Sequence, residues 1–173
     1  MDVEHRESDG GLSHLSSGPE GLESRMVDVG AKAPGRREAV AGARVRFPTG
    51  VLERVLTEGG PKGPITEVAR SAGILAAKRT AGLIPMCHPL GLDVVEVLFE
   101  RGDGDPDVLL VRCRAACTGP TGVEMECLVG AGIAALTVID MTKALSPAIA
   151  VEQLRLLEKR GGKGGSWLAE TSS

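Results

Sequence analysis

The chain has 173 residues, 42% of them hydrophobic, which is enough for one domain with a packed aliphatic core. Aromatics are only 2% of the total, with no Tyr, one Trp and two Phe, which disfavours stacking of nucleobases on aromatic side chains. A formal net charge of −3 also disfavours a general nucleic-acid surface, so any anion must be held by a local basic cluster.

Met1 to Arg25 holds Gly, Ser, Glu, Asp and two His with scattered hydrophobes. Such a stretch buries too little apolar surface to offset its ordering entropy, so residues 1–25 read as a disordered tail. Order is expected from Met26. Arg37 to Phe47 reads as a strand, and Thr49 is placed to cap a short helix ending near Glu58. Gly59-Gly60-Pro61-Lys62-Gly63-Pro64 is loop by composition. Ile65, Val68, Ala69, Ala72, Leu75, Ala76 and Leu83 then recur at helical spacing, predicting one long amphipathic helix closed by Pro85. Met86-Cys87-His88-Pro89 must be extended or turned, because a residue ahead of proline avoids the α region. Strands are predicted over Asp93–Glu100 and Asp107–Cys117, joined by a hairpin loop from Arg101 to Pro106. A second long helix takes in most of Glu126 to Leu145, and a last strand spans Val151 to Lys159. The glycine-rich run Gly161 to Gly165 follows. Residues 26–165 therefore read as one domain and 166–173 as a flexible tail. Hairpin-paired strands with two long helices on one face make an α+β sandwich.

The four cysteines, Cys87, Cys113, Cys117 and Cys127, form no C-x-x-C pair, so neither a zinc ribbon nor a thioredoxin-type motif is present. No signal peptide is evident and no apolar run reads as long enough to span a bilayer. The expectation is a soluble cytoplasmic protein with reduced thiols and no membrane or nucleic-acid partner.

Between Gly122 and Lys143, three carboxylates (Glu124, Glu126 and Asp140) and one ammonium (Lys143) sit in an Ala/Gly/Val/Leu background. Apolar stretches exclude charge unless it is paired, solvated or used. Asp140 and Lys143 stand three apart and share a helix face, the layout of an acid/base pair on a rigid element. On an anonymous helix such a pair is more often plain surface. Here Ala134, Ala135, Leu136, Val138, Ile139 and Met141 leave little room for ordinary surface. His88 beside Cys87 falls short of a zinc site; a structural histidine is the first reading, substrate contact the second and metal ligation the third. Lys159 and Lys163 flank the glycines Gly161 and Gly162, and Lys62 lies between Pro61 and Gly63. Such positions let backbone N–H groups and ammonium groups converge on phosphate, although G-x-x-x-x-G-K-[ST] is absent. On their own these residues describe an α+β domain acting on a small anionic molecule by proton transfer.

Five blocks carry a further pattern: MVDVGAKAPGRREAVA from Met26, ARSAGILAAKRTAGLIPMCHPL from Ala69, TGVEMECL from Thr121, AALTVIDMTKAL from Ala134 and LRLLEKRGGKGG from Leu154. In this order they resemble the MoaC family of molybdenum cofactor biosynthesis, over nearly all of Met26 to Gly165. The resemblance implies a lyase that converts a cyclised dihydro-GTP, made by a radical-SAM enzyme, into cyclic pyranopterin monophosphate with release of diphosphate. It implies a ferredoxin-like antiparallel sheet with two long helices on one face. The expected assembly is a homohexamer, a trimer of dimers with sites at dimer interfaces. Matched by motif, Asp140, Lys143 and Lys62 fall on catalytic positions. Met86, Cys87, His88, Met125, Glu126 and Glu124 fall on substrate-binding positions, and Arg37, Lys78 and Lys159 on basic positions near the phosphates. No resident metal is implied, and Mg²⁺ enters only as a companion of the triphosphate. Pro120, Ile139 and Thr142 depart from the usual Lys, aromatic and Cys, and none of these is a position assigned to catalysis. Ring opening and closure need groups that both donate and accept protons. Lys143 is read as that group, Asp140 as its orienter and Lys62 as its assistant. The alternative is a catalytically silent nucleotide-binding or scaffold homologue, which would not need all three.

Overall fold

The computed structural model describes residues 15–18, 21–102 and 104–170. Leu15–Gly18 (β1) pairs antiparallel with Gly21–Ser24 (β2) in a sheet of their own. The reading of 1–25 as a disordered tail is corrected for these residues, whose backbones pair from Leu15↔Ser24 to Gly18↔Gly21. Residues 1–14 lie outside the described ones.

The main sheet holds five antiparallel strands: Gly35–Arg46 (β3), Val94–Gly102 (β4), Asp105–Gly119 (β5), Ala150–Arg160 (β6) and Trp167–Leu168 (β7). They lie in the order β4-β5-β3-β6-β7. Val51–Glu58 (α1), Ile65–Lys78 (α2), Thr80–Leu83 (α3) and Glu124–Thr142 (α4) complete the chain. The two long helices pack on each other and on one face of the sheet, α4 against β3, β5 and β6 and α2 against β4. This is the α+β, ferredoxin-like arrangement.

Alternation along the strands sends Ala39, Ala41, Ala43 and Val45 of β3 inward beside Val111, Cys113 and Ala115 of β5. The facing residues of α4 are Cys127, Ala131, Ala134, Ala135 and Val138, all buried. With almost no aromatics, the layers close on small side chains. A Cβ on Gly130 would stand 2.6 Å from the Cys113 sulfur, so α4 rests directly on the sheet at that point. This close seat fixes where both ends of α4 emerge, and those ends carry the charged residues.

α4 holds 19 residues, long and apolar enough by length and composition to cross a membrane, and half of its most apolar 18-residue window is buried inside the protein. The expectation that no such run exists is therefore corrected. The apolar length here serves as a core helix under the sheet.

Three local expectations also change. The single long helix over Ile65–Leu83 is broken at Arg79, because the Thr80 hydroxyl donates to the carbonyls of Ala77 and Ala76 and tightens the turn into α3. α1 is preceded by Gly50 rather than capped by Thr49, and the Gly50 N–H is taken by the Asp107 carboxylate at 2.9 Å. The segment read as a flexible tail adds β7 to the sheet edge, Trp167 opposite Lys159, after the chain reverses through Gly161, Gly162 and Gly165 at positive φ. Residues 171–173 are not among those described.

Candidate active site

The charged residues of α4 emerge in two groups. At its C-terminal end Asp140 lies between two ammonium groups. Lys143 Nζ donates to Oδ1 at 2.7 Å and Lys62 Nζ to Oδ2 at 2.9 Å. Lys143 is in helical register with Asp140, whereas Lys62 reaches it from the turn between α1 and α2, 78 positions away. All three side chains are about half exposed. Solvent screens exposed pairs of this kind so that they add little to stability, and fold maintenance is a weak reason for two lysines on one aspartate. Lys143 and then Lys62 pull the Asp140 carboxyl down to about 2. It is therefore a carboxylate throughout the neutral range.

At the N-terminal end, a cavity of about 430 Å³ is lined by Met86, Cys87, His88, Glu124, Met125 and Glu126, together with Lys32 and Thr121. The Pro-bracketed loop delivers the first three and the first turn of α4 the next three. His88 Nε2 lies 2.8 Å from the Val27 carbonyl. A carbonyl only accepts, so Nε2 carries the hydrogen and is not a metal ligand. Burial, then the Glu126 charge, pushes the Cys87 thiol up, so it is held as a thiol rather than a nucleophilic thiolate. Lys159 Nζ stands 3.6 Å from Glu124 Oε1, bringing β6 to the same rim. Arg37 donates to the Gly119 carbonyl and lies against Gly162 of the glycine run, at the same end of the sheet. Lys78 borders a smaller cavity of about 100 Å³ that shares Glu126 and Leu90 with the larger one.

Glu126 is 4% exposed. Burial raises its carboxyl above the usual range; its own backbone N–H opposes this and the Glu124 charge adds to it. A carboxyl raised in the folded state favours folding when protonated. Stability is then greatest below the ordinary Glu value of 4.5 and declines as pH rises through the folded value. Glu126→Gln removes that decline. It should melt higher than the wild type at pH 7.5, with the gap closing below pH 4.5, and should lose turnover throughout. Equal melting temperatures at pH 7.5, read by calorimetry, would mean that the carboxylate is solvated in place.

Of the sequence-expected residues, Asp140, Lys143 and Lys62 therefore meet at one end of α4. Met86, Cys87, His88, Glu124, Met125 and Glu126 meet at the other, with Arg37, Lys78 and Lys159 around them. Sequence reasoning did not single out Lys32. Its only signal was its place inside the AKAPGRR block, and its position on the cavity wall follows from the turn closed by Lys32 N–H on the Val29 carbonyl.

Among the described residues, no cluster of three or more His, Cys, Asp or Glu is arranged to hold a metal. Thr142 is fully buried and its hydroxyl donates to the Val138 carbonyl, so the departure there is absorbed inside the helix.

Residues 26–162 match the MoaC family. The chain belongs to the MoaC family. It is 46% identical over 162 residues to the cyclic pyranopterin monophosphate synthase of Chloroflexus aggregans, covering 94% of this chain and 96% of that one. It is 46% identical over 161 residues to the protein of the same name in Novosphingobium aromaticivorans, covering 91% and 97%. The corresponding Chloroflexus aurantiacus protein gives 46% over 156 residues, covering 90% and 93%. MoaC membership thus extends across both residue groups and the helix that joins them.

Proposed function

We infer that the protein is a cyclic pyranopterin monophosphate synthase, a lyase of molybdenum cofactor biosynthesis. Family membership over residues 26–162 and 46% identity to relatives of that name carry this reading. The substrate is a cyclised dihydro-GTP supplied by a radical-SAM enzyme, and the reaction releases diphosphate as a cyclic phosphate forms.

The residues divide the work by chemistry. Arg37, Lys78 and Lys159 neutralise the triphosphate, where departing diphosphate gathers negative charge. Met86, Cys87, His88 and Met125 grip the guanine-derived rings, and Glu124 and Glu126 meet their N–H groups. Lys143 passes protons during ring opening and closure, Asp140 holds its ammonium in place, and Lys62 assists from the opposite oxygen. The carboxylates at the cavity suit no resident cation: Glu124 is paired with Lys159 and Glu126 is buried with a raised pKa. Any Mg²⁺ would accompany the triphosphate.

The working site is built from two subunits. α4 is unbroken from Glu124 to Thr142, and Glu126 and Asp140 are fourteen residues apart. At about 1.5 Å per residue they are separated by roughly 21 Å, too far to grip one reacting centre. A second copy presenting its Asp140 end to this chain's cavity completes the set, as isologous pairing allows. A hexamer built as a trimer of such dimers, working in the cytoplasm, accords with this.

Supplying the cyclised dihydro-GTP and measuring diphosphate release tests the activity. Turnover to cyclic pyranopterin monophosphate is expected. Tight binding without release would favour the silent nucleotide-binding alternative.

A further inference from the structure

Lys62 reaches Asp140 from a turn, and the construction of that turn is informative. Gly63 N–H donates to the Gly60 carbonyl at 3.1 Å and the two residues form an isolated β-bridge, with Pro61 and Lys62 at the tip. Gly59 and Gly63 sit at φ 83° and 100°, which only glycine adopts without strain. Pro61 and Pro64 hold φ near −65° on either side of Lys62-Gly63. The turn is therefore stiff, and its height above α4 depends on what it rests on.

It rests on Ile65, the buried first residue of α2. A Cβ added to Gly60 would stand 2.5 Å from Ile65 Cγ1 and closer still to Cδ1, so the Gly60 backbone lies directly on that side chain. Ile in a helix has one strongly preferred χ1 rotamer, so Cγ1 cannot readily swing away. Below lies an apolar cavity of about 170 Å³, bordered by Gly60, Ile65, Phe47, Leu52 and Val138. Val138 is two residues before Asp140, so the support of the Lys62 turn and the helical turn carrying Asp140 border the same space.

We propose that Gly60 and Ile65 are positioning residues, whose direct contact sets the Lys62 ammonium against the Asp140 carboxylate. The catalytic consequence rests on the function assigned above to Lys62 and Asp140.

Gly60→Ala, Ile65→Ala and the double variant, with Lys62→Ala as reference, test this in the full-length chain. The readouts are kcat and KM for cyclised dihydro-GTP, melting temperature, and the Asp140 carboxyl titration followed by carbon NMR. Gly60→Ala should lower kcat by about tenfold or more with little change in KM, because small misplacements of a reacting group are costly. The Asp140 titration should rise from about 2 toward the value in Lys62→Ala, since one of its two ammonium partners withdraws. Loss of packing alone would lower the melting temperature and leave that titration in place. In the double variant the added methyl occupies the space vacated at Ile65, so both kcat and the titration should return part-way.

A Gly60→Ala protein with wild-type kcat and titration overturns the proposal, and the loss in Lys62→Ala would still support the function. Full turnover in Lys62→Ala fails the functional reading instead, while the titration still reports on the placement of the ammonium. If Gly60→Ala does not fold, Ile65→Ala alone decides: its titration must shift upward, and an unchanged value overturns the contact's role.

Discussion

Asp140→Asn and Lys143→Ala should each lower kcat by about two to four orders of magnitude while leaving the folded protein intact. The expectation combines exposure with charge. Asp140 is 55% exposed, and its ion pairs to Lys143 and Lys62 are bathed in solvent, so losing them changes stability little. Asn keeps the shape of the side chain and can accept a hydrogen bond, but it cannot supply the charge that orients two ammonium groups. Because those ammonium groups hold the carboxyl near 2, Asp140 remains ionised at any working pH. Its linkage is confined to acid: the stability it adds is fully present above its ordinary value of 3.8 and is lost as pH falls through about 2. Single-turnover rates with the cyclised dihydro-GTP, beside melting curves at neutral pH, separate the two effects. Near-normal turnover, or unfolding, in either variant would make that residue structural.

Mixing inactive Glu126→Ala protein with inactive Asp140→Ala protein under subunit exchange should restore a sizeable part of the activity. In a mixed dimer, one composite site takes its Glu126 end and its Asp140 end from the unmutated copies of each, while the other site carries both lesions. Random pairing makes about half of the dimers mixed, so recovery should approach one quarter of the wild-type rate per chain if each intact site works alone. The physical basis is the unbroken α4, whose two charged ends cannot fold back on one another. Mass spectrometry establishes whether exchange has occurred. Exchange without recovered activity would place each site within a single chain.

The main strands and helices were legible, β3 and β5 as strand-like runs and α2 through its 3.6-residue period, whereas the β1–β2 hairpin, α3 and β7 were not. The Asp140–Lys143 pair was legible as well, since three residues on a helix is a local distance. Resemblance in five ordered blocks supplied the chemistry, which neither composition nor periodicity names. Tertiary structure decided the long-range meetings: Lys62 with Asp140, Lys159 with Glu124, and His88 with the Val27 carbonyl. Each depends on strand register and helix seating, which arise from packing over the whole domain. The break at Arg79 and the edge strand at Trp167–Leu168 were likewise set by particular hydrogen bonds, from the Thr80 hydroxyl and along β6. Sequence spacing alone sets Glu126 and Asp140 far apart on a helix, but Gly130 and Gly132 left a break open. The tertiary structure shows one helix from Glu124 to Thr142, seated on the sheet where Gly130 meets Cys113, with its two charged ends held apart by the packed core.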